Sequence, residues 1–223
     1  VKNDQYWDKD NVKLNQVNWY CVAENATAAT MFDNGQLDVF DAAGDYIAKY
    51  DKEVEAGNMQ TMTTEYPGTM VLCYEQSEGG KSGLMKNVNI RKAISYSINR
   101  KEMVSAVYGR YTAAYGFVSP AITLDGTSYR KQASETMKEE YEQYAGDADK
   151  LKALFQKGLD ELGITDKPED ITITLLSQGS ATENQLEREY LQQSISQNLG
   201  VKVELNTVGD YQMFANERDN KNY

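Results

Sequence analysis

The stretch EQSEGGKSG, Glu75 to Gly83, carries the residue types that cradle phosphate groups. A nucleotide loop needs a glycine, four further residues and then Gly-Lys-Ser/Thr, so that backbone N–H groups wrap the phosphates. Gly80-Lys81-Ser82 supplies the second half, but Glu75 stands where the leading glycine belongs. A carboxylate there repels phosphate, and helical residue types resume only well beyond Ser82, in LMKNVNIRKA. The spacing predicts a Gly/Ser-rich surface connector, not a nucleotide site. DKDNV, Asp8 to Val12, begins like a calcium loop, but Val12 fills its fifth position and the required glycine is missing.

Three carboxylate pairs, Glu139/Glu140, Asp147/Asp149 and Asp166/Glu169, have the right chemistry for acid–base work. Hydrolysis of a glycoside needs two such groups facing each other across a cleft, and 34 acidic residues supply neighbouring pairs by chance. These pairs read as solvated faces. The chain contains no histidine. Ser-His-Asp and Cys-His nucleophiles, imidazole zinc sites and histidine pH switches are therefore all excluded. Cys21 and Cys73 each sit inside an apolar, strand-like run, VNWYCV and TMVLCY. Two buried free thiols are expected there, with a disulfide between neighbouring strands as the alternative. Asn25-Ala26-Thr27 is a glycosylation sequon, meaningful only in a source that glycosylates secreted proteins.

The whole chain sets the frame for these residues. With 223 residues, 40% hydrophobic and 26% charged, it reads as one large or two smaller globular domains. A formal net charge of −11 repels polyanions, so nucleic acid is not an expected partner. No apolar run approaches ~20 residues, the length a membrane span requires. The polar opening VKNDQYW has no signal-peptide pattern, as expected of a cytosolic protein or an excised part of a longer precursor.

Periodicity gives the elements. VNWYCV (Val17–Val22) and QLDVF (Gln36–Phe40) read as strands on either side of a short helix in ENATAATMFDNG that Gly35 terminates. Strand, helix, strand predicts a right-handed crossover and a parallel pair. DYIAKYDKEVEAG reads as a helix ending at Gly57, followed by strands in MQTMTTE and GTMVLCYE around a Pro67-Gly68 turn. VNIRKAISYSINRKEMVSAVYG reads as two amphipathic helices broken at Asn99, where Glu102 completes a capping box and Gly109 ends the second. YGFVSPAI is extended before Pro120, and SETMKEEYEQY, Ser134 to Tyr144, is an exposed helix. Leu151, Leu154, Phe155, Leu159 and Leu162 form one stripe of a helix that stops at Gly163. DITITLLS, TENQLEREYLQQSISQNLG, VKVELNTV and DYQMFANERDNK then read as strand, helix, strand, helix.

The order of these segments resembles the family 5 solute-binding proteins of ABC importers, the oligopeptide- and dipeptide-binding group. Asn3, Tyr6 and Trp7 match its Asn-x-x-Tyr-Trp opening, and Gly35, Leu37 and Asp38 its small-Gly-x-(Ile/Leu)-Asp strand lead. Arg91, Ala93, Ile94, Ile98 and Arg100 match its signature helix, and Gly116, Phe117 and Pro120 the tail that follows. Two positions depart from the pattern: Asn99 replaces the usual Asp, and Ser119 one of the two prolines.

The resemblance implies a mixed α/β fold, periplasmic-binding-protein type II-like and bilobal. It implies that residues 1–73 form part of the N-terminal lobe and 74–223 most of the C-terminal lobe, with the Glu75–Gly83 connector at the hinge exit. The chain then looks like the central part of a longer lipoprotein, lipid-anchored at the extracellular face or periplasmic, with the anchor outside this chain. The implied function is non-enzymatic, cofactor-free and metal-free capture of a peptide or other small solute by a monomer that delivers it to an ABC permease. Strand ends and hinge exits supply the candidate ligand residues: Tyr74, Glu75 and Gln76; Tyr115 and Phe117; Ser177, Gln178 and Ser180. The alternatives are an extracellular acidic carbohydrate-active enzyme, or a binder of sugars or metal chelates on the same fold.

Overall fold

The computed structural model describes residues 1–133 and 136–223. They form two compact units, Val1–Tyr50 and Asp51–Tyr223, each described by itself below.

The smaller unit is organised around helix α1 (Asn25–Asp33) and the first turns of α2 (Asp45–Glu55). The end of α1 is dictated by Gly35, which takes φ +71° as expected. That left-handed residue lets the Gly35 N–H reach the Phe32 carbonyl (2.9 Å) and the Gln36 N–H reach the Met31 carbonyl (2.8 Å). Two carbonyls that the helix cannot satisfy are thus bonded. Phe32, Phe40 and Tyr50 bring their rings within 5.0–5.6 Å of one another, and Ala29 and Tyr50 are buried beside them. The Tyr50 hydroxyl donates to Asp33 (2.9 Å), and Lys49 pairs with the same carboxylate (2.7 Å).

The strands expected at 17–22 and 36–40 do not form. No described residue pairs with either segment as a strand, 36–40 is bent at Gln36 and Asp38, and Trp19 is 87% exposed. A β-rich composition makes a strand only when a second strand supplies hydrogen bonds. The runs at 59–65 and 68–75 are corrected for the same reason, and the predicted crossover reduces to its helix alone.

In the larger unit the helical readings hold. Helix α3 (Val88–Ser97) is capped by Asn87, whose side chain accepts from the Asn89 and Ile90 N–H groups. The break falls at Asn99, which caps α4 (Arg100–Met103) by accepting from the Glu102 N–H (3.2 Å). A π-helical turn, Val104–Tyr108, follows and ends at Gly109. The sequence reading missed a small hairpin of β1 (Thr123–Leu124) and β2 (Thr127–Ser128). Its signal was Asp125-Gly126, both with φ > 0, the pair that a tight hairpin turn demands. Short α5 (Tyr129–Gln132) comes next.

Helix α6 (Thr136–Tyr144) occupies the expected place; Ser134 and Glu135 of that reading lie outside the described residues. It is not simply exposed: Tyr141 is 5% exposed and its hydroxyl bonds the Ile98 carbonyl (3.2 Å). An acidic helix hides its buried face when that face is tyrosine, because polar-looking residues then cover apolar work. Helix α7 (Ala148–Leu162) starts at the Asp147 cap and stops at Gly163.

Strand β3 (Thr172–Gln178), α8 (Thr182–Leu199) and β4 (Lys202–Val208) form a β-α-β unit, with α9 (Tyr211–Asp219) after it. The strands are parallel, in register from Thr172↔Lys202 to Gln178↔Val208. Parallel neighbours need a long crossover, and the 18 residues of α8 provide it. One core joins these parts: Ile90, Ala93 and Ile94 of α3, Leu151, Phe155 and Leu159 of α7, Leu191, Ile195 and Leu199 of α8, and Ile173 and Val203 of the strands. Leu72 and Tyr74 are the first residues along the chain to pack on it.

Candidate functional site

The eight residues singled out from sequence fall into three places. Tyr74, Glu75 and Gln76 lie at the entry to the Gly-rich loop. Tyr74 packs against the core, and burial raises the pKa of its phenol. Its hydroxyl is enclosed and has no hydrogen-bond partner among the described residues. Gln76 is exposed.

Glu75 is already committed. Its carboxylate accepts the backbone N–H groups of Ser77 (2.9 Å), Glu78 (2.9 Å), Gly79 (2.9 Å) and Gly80 (3.0 Å), and also the Ser77 hydroxyl. The Ser77 hydroxyl and then the Gly80 N–H bring its pKa down to about 2. The connector does wrap an anion, and the anion is the protein's own side chain. Glu75 excludes phosphate by occupying the cradle.

Tyr115 and Phe117 follow the π-helical turn. Tyr115 is half-buried: its ring stands 5.4 Å from Tyr141, and the Arg100 guanidinium lies 5.3 Å from it and 4.6 Å from Tyr141. Such contacts fix the ring in place. Phe117, two residues on, is 79% exposed. Ser177 and Gln178 end β3, and Ser180 lies in the turn before α8. The Ser177 Oγ is buried with no partner among the described residues, whereas Gln178 and Ser180 are exposed. In parallel sheets, ligands gather at this carboxyl end of the strands.

Sequence reasoning missed Arg188. It is buried on α8 and donates to the carbonyls of Gly179 (2.9 Å) and Gln178 (3.5 Å), pinning the turn that carries Gln178 and Ser180. Its signal was periodic: Arg188 precedes Leu191, Ile195 and Leu199 on the buried stripe of α8. A charge on an apolar stripe has to find acceptors.

A concavity of 610 Å³ lined by Gln143, Tyr144, Lys150, Ala153, Leu154 and Lys157 lies on α6 and α7 and shares none of the eight residues. No group of three or more Cys, Asp or Glu among the described residues is arranged to hold a metal ion. The cysteines are corrected as well. Cys21 and Cys73 are free, as the main reading had it, but both are exposed, because the segments that carry them have no sheet to bury a face against. The folded protein is accordingly expected to react with two equivalents of an aromatic disulfide reagent without denaturant. Fewer than two in the native state, rising to two on unfolding, would place a thiol in the interior.

No described helix is long and apolar enough to cross a membrane. The chain is 29% identical to the dipeptide-binding protein DppE of Bacillus subtilis over 206 residues, which cover 92% of this chain and 34% of that protein. To the oligopeptide-binding protein OppA of Bacillus subtilis it is 29% identical over 230 residues, 100% of this chain and 38% of the relative. The solved structure of Listeria monocytogenes OppA bound to peptide superposes with a TM-score of 0.74 at 26% identity, over 100% of this chain and 41% of the other. The chain thus spans well under half the length of the proteins it matches. That likeness gives the fold as mixed α/β of the periplasmic-binding-protein type II class. The model of the bacterial extracellular solute-binding proteins, family 5 Middle, matches residues 1–223, and the chain belongs to that family.

Proposed function

We propose that the chain is part of the peptide-capturing subunit of an ABC importer, held at the outer face of the membrane or in the periplasm. The single observation that carries this reading is the family match across residues 1–223, in which the relatives named above are dipeptide- and oligopeptide-binding proteins. Residues 1–73 belong to an N-terminal lobe and 74–223 to a C-terminal lobe. The packing of Tyr74 on the larger core supports placing it in the C-terminal lobe. A monomer that closes two lobes over a solute needs no nucleophile, and hands its cargo to a membrane permease.

Within the candidate set, exposure divides the roles. Gln76, Phe117, Gln178 and Ser180 are the groups free to meet a peptide. Gln178 and Ser180 offer amide and hydroxyl hydrogen bonds, and Phe117 offers an apolar face. Tyr74, Tyr115 and Ser177 stand behind them, and Glu75 organises the loop. Calorimetry of a protein carrying this chain at its relatives' length, against short peptides and against oligosaccharides, tests the reading. Heat with peptides alone, and no cleavage product, is expected; binding of sugars with silence towards peptides would overturn it. Phe117→Ala is expected to weaken peptide binding by about 10-fold, as for an aromatic contact, without changing the melting temperature. Unaltered affinity would remove Phe117 from the site.

A further inference from the structure

The filled loop has a second set of contacts. Lys81 N–H donates to the Tyr223 carbonyl (2.7 Å), and Lys221 Nζ reaches Glu78 Oε1 (2.7 Å) and Ser77 Oγ (3.1 Å). Segments some 140 residues apart in sequence are thus bonded side by side. All three contacts are made by residues 77–81, on or directly after the four residues whose N–H groups Glu75 accepts. Ser77 both donates to Glu75 and accepts from Lys221, so the bonds run in series from Lys221 through Ser77 to the cradled carboxylate. Gly79 holds φ +91° with room for no side chain, since a Cβ there would stand 2.3 Å from the Gly83 carbonyl oxygen. At Gly80 the approach of the partner segment is equally close: a Cβ would lie 2.5 Å from the Tyr223 oxygen. Without the carboxylate, four N–H groups would converge on nothing and the turn would relax.

We propose that Glu75 is the pin of a conformational clasp: by filling the cradle of residues 77–80 it holds the loop in the shape that bonds the Lys221–Tyr223 segment. The exposed Lys221–Glu78 pair contributes little by itself, because water screens it. The strength of the clasp comes from the preformed loop. Lying directly after the proposed lobe boundary at 73/74, the clasp would stiffen the connection that lobe closure bends. That consequence rests on the lobe reading; the clasp does not.

Hydrogen exchange at single amides tests the clasp without any ligand, so it can fail or succeed independently of peptide binding. In Glu75→Ala the amides of residues 77–80 and of Lys81 are expected to exchange faster by about 10-fold or more, while α3 and α7 keep their protection. Acetate, the detached form of the missing group, should slow them again. Glu75→Gln, which keeps one accepting oxygen for the Glu78, Gly79 and Gly80 N–H groups but puts an NH2 donor in place of the other, should give a smaller acceleration and guards against a folding defect in the alanine variant. A Lys81 amide that exchanges at the wild-type rate in both variants would overturn the proposal. So would an acceleration spread evenly through α3 and α7, which would make Glu75 a contributor to global stability only.

Discussion

Phe155→Ala is expected to lower the stability of the larger unit by about 3–5 kcal/mol, the largest loss of any single side chain considered. Phe155 is 0% exposed and stands at the middle of the α7 stripe, between Leu151 and Leu159, facing a core that also holds Ile90, Ala93 and Ile94 of α3. Truncation removes the transfer free energy of a benzyl group and leaves a cavity. The helices packed on α7 include α3 and α8, which also pack on each other and can collapse only in part. For a unit of this size the midpoint of thermal unfolding should fall by ~6–20 °C. Phe155→Leu keeps most of the volume and should cost about 1.5 kcal/mol or less. Urea unfolding followed by tryptophan-independent circular dichroism measures both. A loss under about 1 kcal/mol for the alanine variant would mean that α7 does not carry the core.

How much of this was legible follows the range of the chemistry. Helix ends are local: Gly35 and Gly163 need only their own φ, and Asn87, Asn99 and Asp147 need only an N–H two or three residues away. Gly35, Asn99 and Gly163 were read from residue type and position, while the caps at Asn87 and Asp147 obey the same local rule but were not singled out. Strands β3 and β4 were readable as alternating runs on either side of one long helix, and the structure pairs them. The runs at 17–22, 36–40, 59–65 and 68–75 have the same β-rich residues, but a strand is defined by a partner, and residue type does not name one.

The candidate site shows the same limit. Glu75 was read from sequence as repelling phosphate, because a charge repels a like charge at any geometry. That the same carboxylate would fold back into the cradle depends on four backbone N–H directions, which only the folded loop defines. Exposure was equally invisible. Phe117 and Tyr115 share a loop and a residue class, yet one is solvent-facing and the other is held between Arg100 and Tyr141. Ser177, Gln178 and Ser180 were placed at a strand end by alternation alone, but the guanidinium of Arg188 that fixes their turn lies on another element.

Gly158 tests the helix contact from the opposite direction. It lies inside α7, where glycine is ordinarily a weakness: replacement by alanine in an open helix interior should stabilise by about 0.8–1 kcal/mol. Here a Cβ would stand 2.5 Å from Ile90 Cγ1, 2.9 Å from Asn87 Oδ1 and 3.1 Å from the Ile90 backbone nitrogen. The first of these atoms is 0% exposed core, and the second is already bound to the N–H groups that begin α3, so neither can simply swing aside. Overpacking of this kind costs about 1–3 kcal/mol and exceeds the helix-propensity gain. Gly158→Ala should therefore be less stable than wild type by up to about 2 kcal/mol, despite being the better helix former. In Gly158→Val the propensity gain shrinks to a few tenths of a kcal/mol and two more methyl groups must be placed, so a loss of about 3 kcal/mol is expected. The order wild type, alanine, valine is the diagnostic result, since propensity alone puts both variants above wild type. An alanine variant more stable than wild type in urea would mean that α3 and α7 stand farther apart than the glycine contact requires.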